Sequence, residues 1–290
     1  MFQGVLTALV TPFRDGAVDE RALGDLVEFQ IEAGVDGLVP CGSTGESATL
    51  THAEHRRVVE VVVAAARGRA PVVAGTGSNS TREAIALTRH AKEAGADGAL
   101  LISPYYNKPT QAGIVAHYAA IARETGFPLI VYNIPGRTAS NILPETLAQL
   151  ADIEQVVGVK EACGDLAQIS HAVARCPEEF AVLSGDDVFA LPVLSVGGVG
   201  VISTSSNVAP AEIVEMVRAF RAGDLERARD LHQRLLPLFD ALFVETNPIP
   251  VKAALALRGQ VGEEIRLPLL PLTEPNRERL RVVMKELGLL

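Results

Sequence analysis

Eight short apolar runs punctuate the chain, each bounded by turn-forming residues: Val5–Val10, Gly37–Pro40, Pro71–Gly75, Gly98–Ile102, Pro128–Tyr132, Val156–Lys160, Phe180–Leu183 and Val199–Ser203. Most are continuously apolar rather than alternating. A strand reads this way when both its faces are covered, as in a parallel sheet. Between them lie stretches with apolar residues at helical spacing, among them Asp19–Ala33, Thr51–Arg67, Thr81–Ala94 and Gln111–Arg123. Strand and helix in alternation is the βαβ pattern.

An internal repeat agrees. Glu32-Ala33-Gly34-Val35-Asp36-Gly37-Leu38-Val39 returns as Glu93-Ala94-Gly95-Ala96-Asp97-Gly98-Ala99-Leu100, two βα units later. Each copy sets a glycine where a helix C-cap needs a left-handed residue, and an Asp-Gly turn then launches a buried strand. Eight units of about 25 to 30 residues account for roughly the first 220 positions, the usual extent of a (β/α)8 TIM barrel. That α/β architecture is the expectation, with a doubly wound open sheet as the alternative. After Gly223 the strands stop, and Leu225–Leu242, Pro248–Leu257 and Glu274–Leu287 read as helices broken by Pro and Gly. The division is therefore 1–222 for the barrel carrying the active site and 223–290 for a small C-terminal helical domain.

Composition narrows the partners. The chain has 290 residues, 48% hydrophobic and 21% charged, as in a soluble globular protein. No run reaches the roughly 18 apolar residues of a membrane span, and the opening segment lacks the basic n-region of a signal peptide, so a cytoplasmic protein is expected. Cys41, Cys163 and Cys176 form no C-x-x-C pair and are read as reduced packing residues. A net charge of −9, with basic residues scattered rather than striped, argues against nucleic acid. No His, Cys or carboxylate cluster has metal-ligand spacing, so no metal is expected. The partner should be a small molecule.

In a (β/α)8 barrel the chemistry gathers at the C-terminal ends of the strands, so polar residues that end apolar runs are the candidates. Lys160 ends Val156-Val157-Gly158-Val159. A desolvated lysine has a lowered pKa, and its neutral amine attacks carbonyls; the plainer reading is a salt bridge to Glu161 or Asp165. The competing lysines are Lys92 and Lys285 on polar helix faces, Lys108 in a loop and Lys252 in the appendage. Tyr132 ends the preceding strand, where its phenol could shuttle protons beside Lys160; the plainer reading is a packing residue with a polar tip. Gly42-Ser43-Thr44-Gly45-Glu46-Ser47 offers hydroxyls and backbone N–H groups suited to a carboxylate, with a loop ending in a helix cap as the alternative. Gly197-Gly198-Val199-Gly200 reads as a tight turn into a strand rather than a phosphate loop.

Taken together, Gly42-Ser43-Thr44-Gly45-Glu46, Tyr132-Asn133-Ile134-Pro135 and Gly158-Val159-Lys160-Glu161 resemble the motifs of the pyruvate-dependent aldolase superfamily, which includes N-acetylneuraminate lyase and dihydrodipicolinate synthase. Pro104-Tyr105-Tyr106-Asn107-Lys108-Pro109, Pro135-Gly136-Arg137-Thr138 and Asn247-Pro248-Ile249-Pro250-Val251-Lys252 are similar to the synthase branch, and the resemblance spans essentially the whole chain. It implies that Lys160 forms an imine with pyruvate. Tyr132, Thr44 and Tyr106 would relay protons, with Tyr106 supplied by a neighbouring subunit. Ser43 and Thr44 would bind the pyruvate carboxylate, Arg137 would receive the carboxylate of L-aspartate 4-semialdehyde, and Gly185 and Ile202 would line the pocket. Ser43 stands where the synthase pattern more often has threonine, so this loop does not separate the synthases from the sugar-acid lyases.

The implied reaction condenses pyruvate with the semialdehyde and releases 4-hydroxytetrahydrodipicolinate, the branch step toward diaminopimelate and lysine, with no organic cofactor or metal. Ser47, Ala48, His52, His55, Asn79, Glu83 and Tyr105 match positions of the L-lysine feedback pocket in inhibited members of the branch. Without the resemblance, His52 and His55 read as an exposed helix pair. A homo-oligomer is implied, a tetramer built as a dimer of dimers. The rivals are a sister aldolase acting on a sugar acid or hydroxy-oxo acid, which would not require Arg137, and a catalytically silent binding barrel.

Overall fold

In the computed structural model, which describes residues 2–290, the apolar runs are parallel strands: β1 Gly4–Ala8, β2 Gly37–Val39, β3 Val73–Gly75, β4 Gly98–Ile102, β5 Leu129–Asn133, β6 Val156–Glu161, β7 Ala181–Ser184 and β8 Gly200–Ser203. Their hydrogen-bonded order is β2-β1-β8-β7-β6-β5-β4-β3. The two ends of that sheet meet through a parallel bridge between Leu38 and Val72, where Leu38 N donates to Pro71 O at 2.9 Å. The sheet closes on itself, which rules out the doubly wound alternative. A short antiparallel hairpin pairs Phe13–Arg14 with Ala17–Val18.

Helices alternate with the strands: α1 Glu20–Glu32, α2 His52–Ala66, α3 Thr81–Glu93, α4 Gln111–Thr125, α5 Pro144–Ala151, α6 Leu166–Arg175, α7 Ala190–Ser195 and α8 Pro210–Arg221. The side chains of Asp19, Thr51, Ser80, Thr110 and Asp165 accept backbone N–H groups at the helix starts, each such cap contributing about 1 kcal/mol. Thr51 and Glu54 form a reciprocal capping box.

The repeated segment is a folding device used twice. Gly34 and Gly95 have φ of 84° and 88°, the left-handed geometry that ends α1 and α3 without a Cβ clash. The aspartates then tie neighbouring strands at their starts. Asp36 accepts Val5 N at 2.8 Å and returns its own N–H to Val5 O at 2.7 Å, and Asp97 does the same with Val72 at 2.8 Å for both bonds.

Strand parity separates two cores. Phe2, Leu6, Ala8, Val39, Val73, Leu100, Ile130, Tyr132, Leu183 and Ile202 fill the barrel interior. Residues of opposite parity, such as Val5, Leu38, Ala99, Leu101, Val131, Val159 and Val201, pack outward against the helices. Each fully buried side chain of this size contributes about 1.5 to 3 kcal/mol. The C-terminal helices α9 Leu225–Ala241, α10 Ile249–Leu257 and α11 Glu274–Glu286 join the outer core through Leu235, Leu238, Val251, Leu255, Leu280 and Met284. Helix α9 packs along α8, and α10 reaches the turn Ser205–Asn207 that follows β8. The Gly197–Gly200 segment leads into β8, as expected of a tight turn into a strand. The three cysteines are free, and among the described residues no helix is long and apolar enough to cross a membrane.

Candidate active site

A single extra residue in β6 decides which way its lysine points. The register between β5 and β6 pairs Leu129 with Val156 and then Ile130 with Gly158, so Val157 is bulged out of the count. Val156 and Leu129 both face the helices. Strict alternation from Val156 would turn residue 160 outward as well. The bulge resets the parity, and Lys160 pairs with the inward Tyr132.

Lys160 is therefore buried inside the barrel, its Nζ 4.3 Å from the centroid of the Tyr132 ring. Neither carboxylate that the salt-bridge reading offers it is engaged with it. Glu161 faces the helices, accepting from Asn133 Nδ2 at 2.8 Å, and Asp165 caps α6 by accepting from Ala167 N at 2.9 Å. Burial brings the Lys160 ammonium down to about 8; Arg137 pushes the same way, while Asp187 and Asp186 oppose it. Burial also pushes the Tyr132 phenol up to about 12, against a smaller opposite pull from Arg137. The lysine is thus partly a free amine near neutrality, and the phenol beside it keeps its proton.

Gly185, immediately after β7, packs too closely on Ala162 and Lys160 to carry a side chain without a shift. A Cβ there would lie 2.8 Å from Ala162 Cβ and 3.0 Å from Lys160 Cε. Ile202 is fully buried in the barrel interior. Asp187, which follows Gly185 by two residues, is buried and accepts from Ser205 Oγ at 2.8 Å, Ser205 N at 2.9 Å, Thr204 N at 3.2 Å and Ser203 Oγ. It holds the turn after β8, and it opposes the lowering of the Lys160 pKa.

Above Tyr132 opens a cavity of about 540 Å3. It is lined by Ser43, Tyr132, Arg137 and Asn247, among others. Arg137 is exposed, and its Nη2 donates to the Asn247 carbonyl at 2.9 Å. Thr44 is buried, receiving a hydrogen bond from Asn247 Nδ2 at 3.0 Å, with Thr204 Oγ1 at 3.5 Å.

The same cavity is also lined by Ser47, Ala48, His52, His55, Glu83 and Tyr105. Glu83 accepts from Ser78 Oγ and bonds His52 Nε2 at 2.8 Å, and these two contacts hold its carboxyl below the usual range. His55 departs from the exposed-pair reading. It is buried, its Nε2–H donates to Gly75 O at 2.7 Å, and burial lowers its pKa. Helix α2 runs along the outside of the barrel, so the inward side of its first turn meets the end of β3 while His52 stays exposed. Asn79 stands beside the cavity rather than in its wall, donating to Tyr105 O at 3.2 Å. Tyr106 is not gathered into this chain's own cavity: it is 87% exposed, at φ 70°.

Comparison with known proteins shows the family. The Dihydrodipicolinate synthetase family matches residues 1–287. The chain belongs to this family. Among members of the dihydrodipicolinate synthetase family, it is similar to the 4-hydroxy-tetrahydrodipicolinate synthase of Syntrophus aciditrophicus, at 58% identity over 100% of both chains. It is also similar to that of Nitratidesulfovibrio vulgaris (strain DP4), at 61% identity over 100% of this chain and 99% of the other. Two solved structures superpose closely. The enzyme of Cyanidioschyzon merolae with lysine bound is 45% identical, with a TM-score of 0.97, over 100% of this chain and 99% of the other. The enzyme of Acinetobacter baumannii complexed with pyruvate is 45% identical, with a TM-score of 0.98, over 100% of each.

Three features of the site escape sequence reasoning: Asn247 as partner of both Thr44 and Arg137, Asp187 as the buried charge near Lys160, and an ion pair between Glu46 and Lys252. The last joins the loop after β2 to α10, both side chains being 1% exposed. Asn247 and Lys252 fall in a motif that carries the resemblance, but Thr44 and Glu46 lie some two hundred positions away and Arg137 110 positions away. Nothing local signals such a pairing.

Proposed function

We propose that the chain catalyses the 4-hydroxy-tetrahydrodipicolinate synthase reaction, using Lys160 as the nucleophile. The observation that carries this reading is the unpaired, desolvated amine of Lys160 against the ring of Tyr132, which lines the same cavity as Arg137. The amine attacks the ketone of pyruvate; loss of water gives an imine, and loss of a methyl proton gives an enamine. The enamine carbon forms a bond to the aldehyde carbon of L-aspartate 4-semialdehyde. The substrate's own amine then displaces Lys160 from the imine carbon, closing the ring and restoring the free lysine. Tyr132 and Thr44 pass protons, Ser43 and Thr44 hold the pyruvate carboxylate, and Gly185 and Ile202 shape the pocket. Arg137 receives the carboxylate of the semialdehyde, for which a guanidinium fork is suited.

Tyr106, exposed in the single chain, completes the relay from a neighbouring subunit of a homo-oligomer. The part of the cavity with Ser47, Ala48, His52, His55, Glu83 and Tyr105 in its wall and Asn79 beside it binds L-lysine as a feedback inhibitor. The lysine-bound relative supports that reading.

The test is borohydride reduction in the presence of pyruvate, followed by peptide mass spectrometry. A three-carbon acid adduct is expected on Lys160; label on Lys108 or Lys252 instead overturns the assignment. Arg137→Ala should leave the adduct intact while kcat/KM for the semialdehyde falls at least about tenfold, the worth of a lost charge-assisted hydrogen bond. Equal loss of pyruvate and semialdehyde binding rejects the role given to Arg137.

A further inference from the structure

We infer that Asn247, contributed by the C-terminal helical segment, is a positioning residue that fixes the direction in which Thr44 gives up its proton. The inference rests on the relay role proposed for Thr44. Asn247 is 6% exposed and lines the cavity between the elements that serve the two substrates. Its Nδ2 donates to Thr44 Oγ1 at 3.0 Å. An amide N–H only donates, so Thr44 Oγ1 accepts there and its one proton must leave in another direction. The remaining protein contact of that hydroxyl, Thr204 Oγ1 at 3.5 Å, is too long to hold the proton firmly. Thr44 is thereby kept as a donor with its proton available.

Asn247 Oδ1 has no hydrogen-bond partner among the described residues, so the Nδ2 contact to Thr44 is the one side-chain hydrogen bond that orients the amide. Turning the amide over would replace that donor by an acceptor facing Thr44 Oγ1. The turned amide would also consume the proton that the relay requires. A second contact separates the residue's two effects. Arg137 Nη2 is anchored by the Asn247 backbone carbonyl at 2.9 Å, and a side-chain substitution leaves that carbonyl in place. Changes at Asn247 should therefore act on the proton step rather than on capture of the aldehyde's carboxylate.

Two substitutions with opposite hydrogen-bond character read this out, each made in the parent and in Thr44→Val. Asn247→Asp keeps the shape but presents an acceptor to Thr44, which captures its proton. Here kcat should fall at least about tenfold while KM for the semialdehyde stays within about twofold. Asn247→Ala releases the hydroxyl without reversing it and should cost less, roughly two- to fivefold in kcat. In the Thr44→Val background the Asn247→Asp change should cost less than about twofold, because the group it acts through is gone. Lowering the pH protonates the introduced carboxyl, which regains a donor, so the activity of Asn247→Asp relative to the parent should recover toward acid while that of Asn247→Ala stays flat.

An Asn247→Asp variant milder than Asn247→Ala overturns the inference, as does an equal Asn247→Asp loss with and without Thr44. A purely structural role predicts the first, and a general charge effect on Lys160 predicts the second. A parent protein that fails to condense pyruvate with the semialdehyde defeats the functional reading itself; an active parent whose variants miss this pattern defeats only the role of Asn247.

Discussion

Two buried lysines show how neighbours, rather than burial alone, decide what an amine does. Lys252 is 1% exposed and burial lowers its pKa, but its Nζ meets Glu46 and stands 4.1 Å from the Phe13 ring centroid. The carboxylate opposes that shift and occupies the nitrogen. Lys160 has an aromatic face and no paired carboxylate, so burial brings it to about 8 without tying it up. At pH 7.5 roughly a quarter of Lys160 is then neutral, against about one part in a thousand for an exposed lysine. The initial rate of pyruvate imine formation, followed by rapid borohydride trapping, should therefore rise with pH through a midpoint near 8 and level off above it. A midpoint near the ordinary lysine value would mean that desolvation does not set the reactivity of this group.

The ends of β5 and β6 form a unit in which inward and outward residues have different tasks. Tyr132 and Lys160 face the interior, while their sequence neighbours Asn133 and Glu161 pair on the outer face. Glu161 Oε1 accepts from Asn133 Nδ2 at 2.8 Å and from Cys163 N at 3.1 Å, locking the two strand ends in register behind the site. Burial pushes the Glu161 carboxyl up to about 7, ahead of smaller opposing hydrogen bonds. A carboxyl whose folded pKa exceeds its unfolded value supports the fold fully below the unfolded value, and that support is lost as pH rises through the folded value. For Glu161 the window runs from about 4.5 to about 7, and the amount at stake is on the order of 3 kcal/mol. Glu161→Gln, which removes the charge at nearly constant shape, should gain thermal stability over the parent as pH rises from about 5 to 8. A gap in Tm that does not change over that range would show that Glu161 does not ionise in the folded protein.

At the scale of the whole molecule, the appendage is part of the site's support. The Glu46–Lys252 pair pins the loop carrying Ser43 and Thr44 to α10, and Arg266 reinforces it, its N–H donating to Glu46 Oε2 at 3.1 Å and its guanidinium to Glu54. Tyr106, by contrast, has no such support from its own chain. Light scattering should accordingly report a homo-oligomer, with the tetramer as the expected mass, and Tyr106→Phe should lower kcat at least about tenfold while leaving that mass unchanged, in keeping with the worth of a proton relay. Activity titrated with L-lysine should fall at millimolar or lower concentrations in the parent and respond less in Glu83→Ala, with a coupling of about 1 to 3 kcal/mol. A fully active monomer ends the shared-site reading, and indifference to lysine ends the feedback reading alone.

The chain's local patterns determined the architecture. Continuous apolar runs have few other places to go than a sheet covered on both faces, and Gly34 and Gly95 require left-handed turns wherever they sit, so the eight strands and the first four of the helices between them were legible to within a residue or two. Strand-end polarity likewise marked Lys160 and Tyr132. The direction in which Lys160 points was not legible, because it depends on one bulged residue whose presence is defined only by pairing with β5. Nor were the partners Asn247, Asp187 and Glu46–Lys252 legible. Sequence periodicity records which face of an element is buried, whereas the pairings of Asn247 with Thr44 and of Lys252 with Glu46, some two hundred positions apart, and of Asp187 with the turn after β8 exist only once the barrel has closed.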